Sequence, residues 1–162
     1  MSEAISLQTA LTPSENPAEM RAKIMALESA MFAMPEHHIE CKVTHHFADG
    51  VYMRELLIPK GACLTGKIHK TEHMNILSQG EMTVWTESGM KRLKASTVIK
   101  SLPGIKRVGF AHEASVWITV HHNPEGEKDL DKLEEMIISK TFKEALEFVD
   151  LKKIEGKIIC HG

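Results

Sequence analysis

Apolar positions along this chain change their period twice. Between residues 16 and 34 they fall at Met20, Ile24, Leu27, Met31 and Met34, alternately four and three apart. That is the spacing of one face of an α-helix. Asn16 supplies an N-cap, Pro17 stands at the first helical position, Glu19 lies in the first turn, and Pro35 stops the pattern. A helix over about residues 16–34 is predicted, with one narrow apolar seam that can pack on its own domain or on another subunit. Residues 1–14 carry no periodic pattern and are expected to be flexible.

From residue 39 to about 122 the period shortens. Segments such as "VYMRELLIP", "EMTVWTE" and "SVWITVHH" are short and several are rich in β-branched residues, with turn signals at "ADG", "PKG", "QGE", "ESG" and "PG" between them. Eight or nine strands at roughly ten-residue spacing predict a β-sandwich or barrel of jelly-roll type. No strand–helix alternation is present, which argues against a parallel doubly wound sheet. Beyond residue 123 the helical period returns. Leu130, Leu133 and Ile137 share one face, and Thr141 with Glu144 has capping-box spacing ahead of Phe142, Leu146 and Val149. C-terminal helices over about 128–151 are predicted, and residues 15–162 read as one domain.

Length and charge narrow the function classes. At 162 residues the chain can bury a core without disulfide or metal staples. A formal net charge of −2 gives no basic field for nucleic acid or an acidic membrane surface. Cys41, Cys63 and Cys160 are scattered and without CxxC spacing, as expected of reduced thiols. The first residues lack the basic start and apolar core of a secretion signal, and no apolar run reaches the roughly 20 residues of a membrane span. A cytoplasmic protein with no nucleic-acid or membrane partner is expected. Ten histidines are more than an ordinary share, and histidine is the commonest metal ligand.

Candidate chemistry concentrates in "GACLTGKIHKTEHMNILSQG". Gly61 is followed by five residues and Lys67, then Ile68 and His69, three residues and His73, six residues and Gly80. This spacing resembles motif 1 of the cupin superfamily, G-x5-H-x-H-x3,4-E-x6-G, with Lys67 at the first histidine position and His73 at the glutamate position. The second cupin motif is matched more loosely: Pro103 fits, Gly104 falls one residue early, Val108 stands at the histidine position and His112 at the asparagine position. The pattern is similar to that of small cupin-like proteins of bacteriophage genomes, which implies a host cytoplasm as the setting. The resemblance spans about residues 45–122.

Membership of that superfamily implies a mainly β, cupin-like jelly-roll barrel flanked by an N-terminal helix and C-terminal helices, and a homodimer. Side chains two apart on a strand share a face, so Lys67 and His69 point the same way. The resemblance directs that face into the barrel and brings His73 to the same cavity. Neutral imidazoles there suit Zn²⁺, Fe²⁺, Mn²⁺ or Ni²⁺, with His112 or Glu72 as the third ligand. A lysine beside the site favours an anion instead, and Lys67 with Arg107 reads as a site for a phosphate or carboxylate. Arg107 closes a basic run formed with Lys91, Arg92, Lys94, Lys100 and Lys106, for which a solvated face is the ordinary explanation. Tyr52 is a candidate ligand-binding residue, or an acid in the metal-free isomerase-like mode that some cupins use. One inward member of His45–His46 or of His121–His122 would extend the site. Three readings stay open: a metal site, a metal-free polar pocket and a filled structural barrel. The expected function is small-molecule binding, with or without metal-dependent catalysis on a small anionic metabolite. The alternative is a non-catalytic cupin that sequesters a ligand or engages a partner protein.

Overall fold

A computed structural model describes residue 11 and residues 14–140. Helix α1 spans Pro17–Phe32, and the Asn16 side chain accepts from the Ala18 amide as an N-cap should. Its seam splits in two. Met20 and Ile24 are buried, whereas Met34 lies beyond the helix and is exposed. The helix therefore packs on its own domain through its first half. It covers the outer face of a sheet, where Trp85 and Val108 meet Met20, Ile24 and Leu11. Leu11, in the stretch expected to carry no burial, is fully buried there.

Eleven strands follow among the described residues. They are β1 (Lys42–Ala48), β2 (Gly50–Ile58), β3 (Cys63–Thr65), β4 (Ile68–His69), β5 (His73–Gln79) and β6 (Glu81–Thr86). The rest are β7 (Gly89–Lys94), β8 (Thr97–Ser101), β9 (Val108–Ala111), β10 (Ser115–Asn123) and β11 (Ile138–Ser139). One five-stranded sheet runs β1-β2-β10-β5-β8 and a four-stranded sheet runs β3-β9-β6-β7, with antiparallel pairing throughout. The architecture is that of a jelly roll. Between the sheets lies a core of Leu56, Ile58, Leu77, Met82, Val84 and their neighbours. The first half of the motif forms two short strands, β3 and β4, and Lys67 stands in the link between them.

The two glycines that frame the motif are needed for their backbone. Gly61 and Gly80 have φ of +81° and +86°, a region where an L side chain is strained. At Gly80 a Cβ would also lie 2.3 Å from Ser115 Oγ and 2.5 Å from the Ala114 carbonyl oxygen.

Helix α2 spans Leu130–Ile137, with Asp129 accepting from the Asp131 and Lys132 amides as N-cap. It is shorter than the helical stretch expected from residue 128 onward. Ile138 and Ser139 instead form β11, paired with β4 so that Ile138 faces His69. The capping box at Thr141 and Glu144 lies outside the described residues. Among the described residues no helix is long and apolar enough to cross a membrane.

Candidate functional site

The inner face of the five-stranded sheet changes chemistry along its length. Every second residue of β2 faces inward, giving Tyr52, Arg54, Leu56 and Ile58 in order. Across the antiparallel pairing β10 sets His121 opposite Tyr52, Thr119 opposite Arg54, Trp117 opposite Leu56 and Ser115 opposite Ile58. On the other side β1 sets His45 opposite Arg54 and Val43 opposite Leu56. One end of the barrel is thus cationic and imidazole-rich, and the other is apolar. The four-stranded sheet contributes Leu64, Met82, Val84 and the bare backbone of Gly109. Together they enclose a cavity of about 440 Å³, within the range of small-molecule sites. Helix α2 covers the polar end, packing Leu133 and Ile137 on Tyr52.

His69, His73 and His121 cluster at that end. Their ring centroids are 4.1 Å apart for His69–His73 and 5.1 Å for each ring with His121. Burial pushes the His69 pKa down to about 2 and that of His121 to about 3, with neighbouring histidines and arginines adding to the effect. Burial lowers His73 too, against the hydrogen bond its ring makes with the Thr71 carbonyl. All three are neutral near pH 7. His73 Nδ1 donates to the Thr71 carbonyl at 3.0 Å, which leaves Nε2 as the acceptor nitrogen. That Nε2 is buried without a partner, and so is Nδ1 of His121. Two buried imidazole nitrogens without partners are uncommon in a folded protein.

A second centre is built around Arg107. Its guanidinium donates to Ser101 Oγ and lies 5.8 Å from the centroid of the Trp117 ring, in cation–π range. Ser101 Oγ also accepts from Asn75 Nδ2 at 2.7 Å, while Asn75 Oδ1 accepts from Trp117 Nε1 and Thr119 Oγ1. This chain of bonds fixes where the guanidinium sits. Burial pushes the Arg107 pKa down to about 10, so the group stays charged near pH 7. None of the described carboxylates forms an ion pair with it or with Arg54.

Tyr52 and His45 form a third element. His45 Nδ1 and Tyr52 Oη share a hydrogen bond of 2.8 Å, and the tyrosine ring stacks on both His45 and His121. Burial raises the phenol and lowers the imidazole, so both are uncharged near pH 7.

Of the residues singled out in the sequence, His69, Tyr52, Lys67 and Arg107 line the one cavity and His73 adjoins it. Three others do not join them. His112 bonds Thr83 through its ring at 2.7 Å and stacks edge-on with Phe110, on the face that α1 covers. Val108, at the second-motif histidine position, is packed on that same outer face. Glu72 is exposed, 3.8 Å from Lys100. Lys67 reaches only the rim, where it pairs with Glu134 of α2. The basic run is dispersed: Arg92 pairs with Glu81, Lys106 with Glu28, and Arg107 turns inward. His121, His45 and Arg54 are the cavity residues that motif spacing left out. The alternation of β2 and β10 carries their signal, since Arg54 is in phase with Tyr52 and His121 with Trp117.

No family model matches the chain and no curated protein matches it. Solved structures do. KdgF from Halomonas sp. aligns at 15% identity over 59% of this chain and 88% of its own, with a TM-score of 0.46. A Klebsiella pneumoniae protein with a double-stranded beta-helix domain aligns at 13% identity over 54% and 81%, TM-score 0.46. The Cupin_2 domain of an XRE family transcriptional regulator from Enterobacter cloacae aligns at 11% identity over 52% and 98%, TM-score 0.45. These are likenesses to cupin and double-stranded beta-helix proteins, and the bacteriophage likeness gains no support from them. With identity and TM-score this low, function has to be argued from this chain's own residues.

Proposed function

We propose that this cupin-like barrel binds a small organic anion in its cavity, with Arg107 as the principal anchor and Arg54 beside it. One observation carries the reading: a half-buried charged guanidinium lines the cavity, held by a hydrogen-bond chain, with no carboxylate partner among the described residues. An unpaired buried charge is costly unless a ligand completes it. A guanidinium offers the planar pair of donors that a carboxylate accepts. Lys67 is a minor contributor because Glu134 already neutralises it at the rim. Small carboxylates and phosphate should therefore raise the melting temperature of the wild type by preferential binding to the folded state. Arg107→Met should abolish that rise while keeping the circular dichroism spectrum, and Lys67→Met should keep most of it. Equal stabilisation of the wild type and Arg107→Met would refute the site.

A second reading adds a divalent transition metal (Zn, Fe, Mn or Ni) at His69, His73 and His121. The unpartnered His73 Nε2 and His121 Nδ1 favour it. Three imidazoles on one tetrahedral ion, with nitrogens about 2.0–2.1 Å from the metal, put ring centroids roughly 5 Å apart, close to the spacing here. In the present ring orientations no three His, Cys, Asp or Glu side chains among the described residues are arranged to hold an ion, so uptake needs the rings to rotate. When bound, such an ion would polarise the oxygen of an anionic ligand. Of the chain's own groups, Tyr52 and His45 are placed to exchange a proton with a ligand across their shared hydrogen bond. Metal analysis after equilibration with Zn²⁺, Mn²⁺, Fe²⁺ or Ni²⁺ tests the reading. His121→Ala should lose the ion and His112→Ala should keep it; a wild type without metal above background ends the reading.

A further inference from the structure

We infer that the ligand is an amphiphilic monocarboxylate, with its head on Arg107 and Arg54 and an apolar body of roughly ten carbons running toward Leu64, Met82 and Val84. This rests on the anion-binding reading above and specifies what the rest of the ligand must be.

The cavity is polarised along one axis. Along β2 the inward residues pass from Tyr52 and Arg54 to Leu56 and Ile58, and along β10 from His121 and Thr119 to Trp117. The facing sheet adds Leu64, Met82 and Val84, with no charged side chain among its inward residues there. Cationic groups therefore meet a ligand at one end only. A second carboxylate, or a phosphate at the far end, would be buried without a partner and bind correspondingly more weakly.

The polar side chains midway along the axis are committed to one another. Asn75 Oδ1 accepts from both Trp117 Nε1 and Thr119 Oγ1, and its Nδ2 donates to Ser101 Oγ. Ser101 Oγ also accepts from Arg107. At the apolar end, Ser115 Oγ donates to the Glu113 carbonyl. These atoms position Arg107, and few of them are left to read the hydroxyls of a sugar-like ligand. A polyhydroxylated body would lose hydrogen bonds to water that the cavity does not replace.

The volume agrees with the chemistry. About 440 Å³ holds roughly fifteen non-hydrogen atoms at about 30 Å³ each, which leaves room for a carboxylate and about ten carbons.

Calorimetric titration of the full chain with acetate, butanoate, hexanoate and octanoate tests the inference. Affinity should rise about fourfold for each methylene buried. Suberate, which matches octanoate in length but ends in a second carboxylate, should bind at least tenfold more weakly than octanoate. Arg107→Met should lose most of the octanoate affinity. Equal affinity from acetate to octanoate, or suberate binding as tightly as octanoate, would overturn the monocarboxylate while leaving an anion site intact. Octanoate bound equally well by Arg107→Met would show apolar adsorption and overturn it too. If none of the carboxylates binds, the anion reading falls together with the inference built on it.

Discussion

Acidification should unfold this protein through its buried histidines. In the folded chain the pKa of His69 is pushed down to about 2 and that of His121 to about 3. Unfolding returns each to about 6.5. Between those limits the unfolded chain binds protons that the folded chain refuses, so stability falls as pH falls, and above about pH 6.5 the effect vanishes. From pH 7 to pH 5 each imidazole costs about 2 kcal/mol and the pair about 4. His73 is lowered by burial too and acts in the same direction. Against a total stability of about 5–15 kcal/mol that loss is large. Urea unfolding at pH 7, 6 and 5, in chelator to keep the rings metal-free, measures it. His121→Asn cannot charge, so from pH 6 to pH 5 its stability should fall by about 1.2 kcal/mol less than the wild type's. Equal slopes for wild type and variant would show that His121 takes up its proton in the folded state, and would refute the cluster as neutral.

Three further outcomes can be checked by denaturant unfolding. Gly80→Ala combines positive φ with a Cβ 2.3 Å from Ser115 Oγ and should cost more than about 2 kcal/mol, whereas Gly61→Ala, with open space around it, should cost only about 1. Ile24→Ala, fully buried under α1 against the outer sheet face, should cost about 2–5 kcal/mol, while exposed Met34→Ala should stay within about 0.5. Lys67→Met should change stability by less than about 1 kcal/mol, because Lys67 and Glu134 are 62% and 52% exposed.

The strands were legible because each is short, alternating and closed by its own turn residues, and β2, β6 and β10 fall within a residue of where the pattern puts them. The motif glycines were legible for a related reason: positive φ leaves few other residues eligible. The partners of His69 were harder to read. Spacing within one motif fixes neighbours along the chain, and on that basis His73 is correctly set beside His69. The third imidazole comes from β10, whose place beside β5 is a property of the sheet order. His112 is nearer in motif terms, but it lies on the opposite face of its sheet from Met82 and Val84. Likewise, in sequence, Lys67 reads together with Arg107 as the cavity's positive charge. The break between β3 and β4 instead leaves that ammonium at the rim and gives the interior to Arg107 and Arg54.

The pairing of Ile138 with His69 has a consequence for the order of assembly. Hairpins such as β1–β2 and β6–β7 join neighbours in sequence and need little loop closure. The wall behind His69, by contrast, is supplied by β11 and α2, which are synthesised after every strand of the two large sheets. Binding competence should therefore be the last property the nascent chain acquires. A chain that has folded its sheets but not yet docked α2 would hold its arginines and imidazoles open to water.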